Sequence, residues 1–219
     1  MKAKPIYLKL SKPSRELPLG ASHFWGDPDL PEDKGYPEYV DEDGDELDYS
    51  FICQIHLPDI ARFDPEGLLP HEGLLLVFAK LEYYMNGYRG EPEISGSISD
   101  SDAVRVIWVR PEEMDKLVRT VLVDDDEKPV SPAALAIEFS DTREKYGDDT
   151  ALLAEPDHRP WENWDHPFED WTILFQVDSF DTDDMKLNFI DFGVLDLLIS
   201  PEALRHRDFS DVRALIIST

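Results

Sequence analysis

The sequence predicts an α+β fold dominated by antiparallel sheets, with few short helices and an internal duplication of a strand-loop-strand unit. Three observations support this prediction. Short apolar runs recur along the chain, turn-forming residues separate them, and helical periodicity is confined to brief segments. A chain of 219 residues with 42% hydrophobic residues is long enough to bury a substantial core.

Two segments of the chain share one pattern, which predicts the duplication. An apolar run ends in Gln54 in the first segment and in Gln176 in the second. Each glutamine is followed by a polar, Asp-bearing stretch and then by a glycine, Gly73 or Gly193, that opens another apolar run. The Gln-to-Gly separation is nearly equal in the two copies, so we expect two related strand-loop-strand units.

The domain prediction follows from this repeat. We expect a single domain over residues 1–219, with two related halves at about 20–118 and 119–219 that share one core.

The individual elements are predicted from periodicity and turn residues. Proline followed by acidic residues favours the first turn of a short helix, which we expect at Pro58, Pro111 and Pro201. The Gly- and Pro-rich segment 20–37 predicts a series of turns, and the acidic stretch up to Asp149 predicts irregular structure. Strands are predicted at residues 6–10, 51–55, the apolar first half of 73–84, 104–108, 119–124, 173–177, 187–190, 193–200 and 212–217.

The charge balance limits the partners that the chain can bind. Asp and Glu number 48 against 21 Lys and Arg, which gives a formal net charge of -27. Such a field repels nucleic-acid phosphates and anionic lipid, so we expect neither nucleic-acid nor membrane binding. The acidity has two interpretations. In the first it keeps the protein soluble, and in the second it attracts a basic protein or divalent cations.

Cysteine usage and hydropathy indicate the compartment. Cys53 is the single cysteine, which excludes an intramolecular disulfide and a cysteine-based metal site, and its apolar neighbours predict a buried thiol. No stretch approaches the ~20 apolar residues of a membrane span. We therefore expect a cytoplasmic protein.

Motifs for catalysis and cofactor binding are absent from the sequence. It has no GxSxG elbow, no phosphate-binding glycine loop and no helical HExxH, so we predict no catalytic residues and no cofactor. The sequence offers candidate zinc ligands in His158 and His166, with Asp157 or Asp165. Their spacing is loose, however, and their Trp and Pro neighbours are typical of a packed loop, so we do not predict a zinc site there.

A calcium loop at the acidic turn DEDGDE is also disfavoured. Asp41, Asp43 and Asp45 alternate as in the first half of an EF-hand. The glycine, however, falls at the fourth loop position, and the twelfth is Ile52 in place of a bidentate glutamate. We therefore predict no metal site.

A possible ligand cleft is the one site hypothesis that the sequence supports. Gln54 and Gln176 are polar residues in apolar strands, and buried amides most often satisfy backbone groups of neighbouring segments. In the alternative interpretation they face a common cleft between the two halves and bind a ligand. Aromatic loops would form the rim of that cleft, with Trp25, Trp161, Trp164 and Trp171.

Several motifs spread over the chain together carry a family resemblance, namely Gly26-Asp27-Pro28-Asp29-Leu30-Pro31, Phe51-Ile52-Cys53-Gln54-Ile55, Leu69-Pro70 through Gly73-Leu74-Leu75, Leu174-Phe175-Gln176-Val177-Asp178, and Gly193-Val194-Leu195 to Ile199-Ser200-Pro201-Glu202 with Asp208-Phe209. In these motifs the chain resembles the YwqG-like family of uncharacterised bacterial proteins, a domain of unknown function. The resemblance covers nearly the whole chain and implies a cytoplasmic bacterial protein of α+β fold with an internal duplication. One departure concerns Leu153-Ala154-Glu155-Pro156 and the Trp-rich loop, which stand where the family has a Gly-Tyr-Pro-like segment.

Two function classes remain after these exclusions. The first is a non-enzymatic acidic interaction protein, with an immunity-type inhibitor of a basic toxin as its most specific form. Its basis is the charge of -27 and the lack of catalytic motifs. The alternative is a small-molecule-binding protein or a hydrolase that uses a cleft between the two halves.

Overall fold

Antiparallel sheet dominates the structure, a computed structural model that describes residues 4–41, 44–85, 87–124, 126–143, 149–156, 167–182 and 185–218. The strands are β1 (Ile6–Ser11), β2 (His23–Phe24), β3 (Asp29–Pro31), β4 (Glu38–Val40), β5 (Glu46–Asp48), β6 (Ser50–His56), β7 (Leu74–Ala79), β8 (Val104–Val109), β9 (Leu117–Arg119), β10 (Leu135–Ser140), β11 (Ala151–Leu152), β12 (Thr172–Asp178), β13 (Phe180–Thr182), β14 (Met185–Leu187), β15 (Val194–Ile199) and β16 (Val212–Ile217). The helices are α1 (Leu57–Ile60), α2 (Glu82–Met85) and α3 (Pro201–His206), with a 3-10 helix at Pro111–Lys116.

One large sheet organises the fold. Its ten strands follow the order β16-β15-β12-β11-β1-β10-β2-β6-β7-β8, and each neighbouring pair is antiparallel. The two edges of the sheet approach each other, because residues just before β8 bond to β16. Ser99 N donates to Ala214 O at 2.8 Å, and Ile216 N donates to Ser95 O at 2.7 Å. The sheet is therefore nearly closed.

The centre of the sheet is formed by two strands that are far apart in the sequence, β1 near residue 1 and β10 at Leu135–Ser140. β1 pairs with β10 through the register Leu8↔Phe139, and each then pairs with a short strand on its other side. β1 lies beside β11, whose next neighbour is β12, whereas β10 lies beside β2, whose next neighbour is β6. The N-terminal strand thus joins the strands of the C-terminal part, and β10 joins those of the N-terminal part.

The two long strands that contain glutamines share a local irregularity. β6 is shifted in register at Ile52, and the Ile52 carbonyl accepts a hydrogen bond from Trp25 N at 2.8 Å. β12 is shifted at Leu174, whose carbonyl accepts from Leu153 N at 2.9 Å. Trp25 and Leu153 both have positive φ angles, 53° and 50°. Each shift therefore coincides with the place where a preceding short strand leaves the sheet.

The main core lies on one face of the large sheet and runs through both parts of the chain. β7 and β15 are buried along their whole length, as expected for strands covered on both faces. Phe24, Phe175 and Phe189 are among the largest fully buried side chains of this core. This core therefore contains residues from both parts of the chain.

The predicted class, mostly antiparallel sheet with few short helices, is confirmed by the structure. The strand predicted in the first half of 73–84 is β7, and α2 follows it. Four details of the element prediction were wrong. The segment before Asp149 was predicted to be irregular, but it contains β10. The apolar residues Leu135, Ile137 and Phe139 alternate along this strand, and the acidic residues around it conceal that pattern. The predicted helix at Pro111 is a 3-10 helix, the strand predicted up to Asp124 ends at Arg119 as β9, and the one predicted at 187–190 ends at Leu187 as β14.

Helix length bears on membrane crossing. Among the described residues, every helix is too short and too polar to span a bilayer.

The first prediction concerns Gly73, which opens β7. Its φ is +86°, and a Cβ there would lie 2.1 Å from the Val109 carbonyl oxygen on the neighbouring strand. Gly73→Ala should therefore lower the free energy of unfolding by at least about 2 kcal/mol, from backbone strain and a forced strand shift. Chemical denaturation would measure it.

The control for this substitution is Gly35→Ala, because a Cβ at Gly35 meets no described atom within 4 Å and its φ is not positive. Equal stability losses in the two variants would contradict the packing described for Gly73.

Candidate functional site

Gln54 holds a long loop against the large sheet through hydrogen bonds. Its side chain is fully buried on β6 and uses both ends of its amide. Oε1 accepts from Asp29 N at 2.8 Å, and Nε2 donates to Ala21 O at 2.9 Å and to Asp29 Oδ2 at 2.7 Å. Because all three contacts lie in segment 20–31, Gln54 fixes the path of that segment. This agrees with the structural interpretation of the residue.

Asp29 is a carboxylate with no solvent exposure, and it is the centre of the same network. In addition to Gln54, it accepts hydrogen bonds from Gly20 N at 2.8 Å and from Arg119 on β9. Arg119 Nε lies 3.0 Å from Oδ1, and Arg119 also donates to Leu17 O at 3.2 Å. A buried ion is tolerated when it is paired and fully hydrogen-bonded, as this one is. The network therefore joins the loop, β6 and β9.

Gln176 occupies the corresponding place on β12 but makes fewer contacts. Its Nε2 donates to Asp149 O at 3.0 Å, whereas its buried Oε1 has no hydrogen-bond partner among the described residues. A hydroxyl lies beside each glutamine strand. Ser22 Oγ accepts from His56 N at 2.8 Å, and Thr150 Oγ1 accepts from Asp178 N at 3.1 Å.

The structure does not bring the two glutamines together in the sheet. Four strands, β2, β10, β1 and β11, lie between β6 and β12. Each glutamine contacts backbone next to its own strand, and neither lines the cavity described below.

The tryptophans predicted to form a rim lie in different places. Trp25 is buried between Phe24 and Phe180, with its ring centroid 5.5 Å from that of Phe180. Trp171 is half-buried and contacts Phe168 in a separate apolar cluster. Trp161 and Trp164 lie outside the described residues, as do His158 and His166.

A cavity of about 950 Å³ lies beside the paired strands β1 and β10. Its walls come from β1 and the segment that follows it, from Trp25-Gly26-Asp27, and from the residues that lead into β10. Leu8, His23 and Trp25 are buried, whereas Lys12, Glu16 and Ala133 are exposed and mark the opening. The lining residues are Tyr7 to Pro13, Glu16, Leu17, His23, Trp25, Gly26, Asp27, Arg119, Ser131 to Leu135, Thr142 and Phe180.

His23 is the buried titratable group of this cavity, with 1% exposure. Its Nδ1 lies 2.5 Å from the Trp25 carbonyl oxygen, which can only accept, so Nδ1 carries the proton. Burial is the main cause that lowers the pKa of His23 below its usual value, so the ring is neutral at pH 7. Nε2 is therefore an acceptor, and it has no hydrogen-bond partner in the described part of the chain.

Asp27, another residue that lines the cavity, also carries an unsatisfied acceptor. Its Oδ1 is buried and likewise has no hydrogen-bond partner among the described residues. The negative charge of Asp27 acts on His23, so the two groups are close enough to interact electrostatically.

Other candidate chemistry has no support in the described residues. They contain no group of three or more His, Cys, Asp or Glu side chains arranged to hold a metal ion. Asp41 and Asp45 bond to each other across the β4–β5 turn, and Asp43 lies outside the described residues. Burial raises the pKa of the Cys53 thiol, which keeps it protonated and unreactive.

Sequence reasoning did not identify His23, Asp27 or Arg119 as parts of a site. His23 and Asp27 flank Trp25 in the segment that was predicted to form a series of turns, which is a weak signal for a polar pair at an aromatic wall. No sequence pattern indicated that Arg119 belongs to a site, because its partner Asp29 is far away in the sequence.

The second prediction compares the two glutamines. Gln54→Leu leaves Asp29 N and Ala21 O buried without partners, which should cost about 2–4 kcal/mol of unfolding free energy. Gln176→Leu removes one described hydrogen bond and one unsatisfied oxygen, so its cost should be about 1 kcal/mol or less. Urea denaturation of both variants would measure the difference, and a larger loss for Gln176→Leu would contradict this account.

Comparison with known proteins places the chain in a family without supplying an activity. A search of curated proteins finds no match. The family model described as "Domain of unknown function (DUF1963)" matches residues 22–216, which include both glutamine strands and the Asp29 loop. This match covers most of the chain, and the protein therefore belongs to the DUF1963 family.

Proposed function

We propose that this protein binds a small organic molecule in the cavity beside the paired strands β1 and β10. The observation that carries the proposal is the cavity itself. Its volume of about 950 Å³ lies within the range of ligand pockets, about 300–1,000 Å³. Its buried end is mostly apolar, with Leu8 and Trp25, and His23 and Asp27 add a few polar atoms. This combination is typical of small-molecule sites.

The rigidity of one wall supports the proposal. Trp25, Gly26 and Asp27 belong to the loop that Gln54 and the buried Asp29 hold against the sheet. A preformed wall lowers the entropy lost when a ligand binds. The cavity is thus suited to recognise a defined shape.

Binding is favoured over hydrolysis by the contacts of the polar side chains. A nucleophilic serine requires a base within hydrogen-bond reach. Ser11, Ser131 and Thr142 line the cavity, but His23 Nε2 makes no hydrogen bond to any described residue. The described residues therefore show no hydroxyl–histidine pair at this site, and the one carboxylate contact of these hydroxyls is that of Thr142 Oγ1, which donates to Asp141 Oδ1 at 3.2 Å.

A second candidate is an acidic interaction protein that binds a basic partner, with an immunity-type inhibitor of a basic toxin as its most specific form. The net charge of -27 supports it, because long-range attraction accelerates association with a cationic protein. The cavity does not contribute to this function, so the two candidates are independent.

We also propose that residues 20–118 and 119–219 are two copies of one unit. The support is that contacts around β6 recur around β12 at matching positions, including the register shift, the hydroxyl acceptor and the glycine that touches a neighbouring strand. The cavity would then lie at the junction of the copies. The matched pairs are Ser22 and Thr150, Trp25 and Leu153, Gln54 and Gln176, and Gly73 and Gly193.

The resemblance to YwqG-like proteins supports a bacterial, cytoplasmic setting. In that compartment, metabolites and basic intracellular proteins are the available partners for the two candidate functions. No cofactor is part of either proposal.

The third prediction tests the cavity. In a thermal-shift screen of nucleotides, sugar phosphates, amino acids, aromatic acids and aromatic amines, at least one compound should stabilise the protein. A ligand at 100 times its Kd adds about 2.7 kcal/mol, or about 5–10 °C for a chain of this size. The shift should be lost in Ala133→Trp and in Leu135→Trp, which add bulk to the wall.

Glu138→Trp is the matched control, because Glu138 is exposed on β10 and does not line the cavity. The proposal fails when no class of compound shifts the melting temperature, or when both wall variants retain the full shift.

The fourth prediction tests the second candidate. The protein should bind basic proteins such as lysozyme or a basic ribonuclease at ~20 mM salt. Most of this binding should be lost at ~500 mM salt, because salt screens exposed charges. A specific partner would retain nanomolar affinity at physiological salt. Absence of any association at low salt would exclude this function.

A further inference from the structure

A basic and aromatic surface lies outside the cavity, at the seam where the two edges of the large sheet approach each other. β8 is one edge strand, and α3 directly precedes β16, which is the other. Trp108, near the end of β8, has the guanidinium carbon of Arg110 4.7 Å from its ring centroid. The guanidinium carbon of Arg207, the residue that ends α3, lies 6.0 Å from the same centroid. Arginines from both sides of the seam therefore lie over one indole ring.

The indole ring of Trp108 is held in place by the fold. Its Nε1 donates to Glu72 O at 3.0 Å, and the half-buried ring packs against the main core. A guanidinium over an aromatic face can still pair with a carboxylate through two of its in-plane N–H donors. The ring therefore orients Arg110 and Arg207 without using the donors that bind an oxyanion.

The two guanidiniums have no carboxylate partner in the part of the chain that the structure describes, although the sequence has 48 acidic residues and 21 basic ones. Both side chains are exposed. Two neighbouring carboxylates are engaged by other donors. Glu113 accepts from Lys34 Nζ at 2.8 Å and from Arg110 N at 3.1 Å, and Asp208 accepts from Ser210 N at 3.0 Å. The guanidinium donors are thus available to an acidic group from outside the chain.

A partner with two carboxylates fits this surface better than one with a single negative charge. The two guanidiniums come from different elements, and both lie within 6.0 Å of one ring centroid. In an extended peptide, side chains two residues apart project from the same face, about 7 Å from each other. Acidic residues at alternate positions of such a peptide can therefore reach both arginines at once.

The net charge of -27 opposes the approach of any anion, so the direct contact must outweigh the field of the whole chain. At physiological ionic strength the Debye length is about 8 Å, so remote exposed charges are screened more than a direct guanidinium–carboxylate contact. Tryptophan and arginine are also enriched among the residues that dominate binding energy at protein interfaces. A free small anion would be held from one side only, whereas a segment of a partner protein gains further contacts around the arginines.

We propose that the surface formed by Trp108, Arg110 and Arg207 binds an extended acidic segment of a partner protein, in which alternate residues carry carboxylates. One carboxylate pairs with each guanidinium, and the indole ring keeps both guanidiniums in position. This inference does not depend on the cavity or on its ligand.

The test uses two blocked peptides of about seven residues on the full-length protein, at pH 7 and about 150 mM salt. In one peptide glutamate alternates with serine, and in the other glutamine replaces every glutamate. NMR titration followed at the indole N–H of Trp108 measures both dissociation constants. The glutamate peptide should bind at least about tenfold more tightly than the glutamine peptide.

Arg110→Gln and Arg207→Gln should each weaken binding of the glutamate peptide at least about fivefold, because each removes one of the two ion pairs. Arg105→Gln is the matched control. Arg105 is exposed on β8, but strand alternation places it on the opposite face from Trp108, so loss of the same charge there should change the affinity less than about twofold. Thermal denaturation of the three variants, all at exposed positions, checks that the fold is retained.

Three results would overturn the inference. The first is equal affinity for the two peptides, and the second is an equal effect of Arg105→Gln and of the two surface variants, because binding would then not depend on this pair of arginines. The third is tighter binding of inorganic phosphate than of the glutamate peptide at the Trp108 signal, which would indicate a phosphate-bearing ligand. None of these results bears on the cavity, which the compound screen tests separately.

Discussion

A buried carboxylate, that of Asp29, is the constraint on which the arrangement of the site depends. Asp29 accepts from Gly20 N, Gln54 Nε2 and Arg119, and these donors belong to the loop, β6 and β9. Removing one partner of a buried ion pair typically costs about 3–5 kcal/mol, so the three segments are held in one geometry. The wall of the cavity at Trp25 and Asp27 is a consequence, because it lies between Gly20 and Asp29 in the same loop.

Much of the sheet could be predicted from the sequence, because apolar periodicity reflects burial directly. β12, β15 and β16 were expected close to where they occur, and the proline at the start of α3 marked that helix correctly. The continuous apolar run in the first half of residues 73–84 likewise located β7. β10 shows that a high local charge can conceal a clear alternation of apolar residues.

The candidate site was much less predictable, because it depends on tertiary pairing. The cavity lies where β1 meets β10, and no local pattern indicates that these distant strands are neighbours. The structural interpretation of Gln54 came from the general rule that buried amides are satisfied, and its contacts agree with that rule. No sequence pattern indicated the pairing of Asp29 with Arg119, because the two residues come from separate segments. The sequence therefore indicated that Gln54 is buried, but it did not indicate the cavity of which the loop forms one wall.

The central claim is that the Asp29 network holds the cavity wall, and amide hydrogen exchange of Asp29→Asn tests it most directly. The substitution keeps the size of the side chain but removes the charge that pairs with Arg119. Exchange at Trp25 N and Asp29 N, both hydrogen-bonded in the native fold, should become much faster, whereas β15 and β16 should remain protected. Unchanged exchange in the loop, or an equal loss of protection throughout the sheet, would contradict the account.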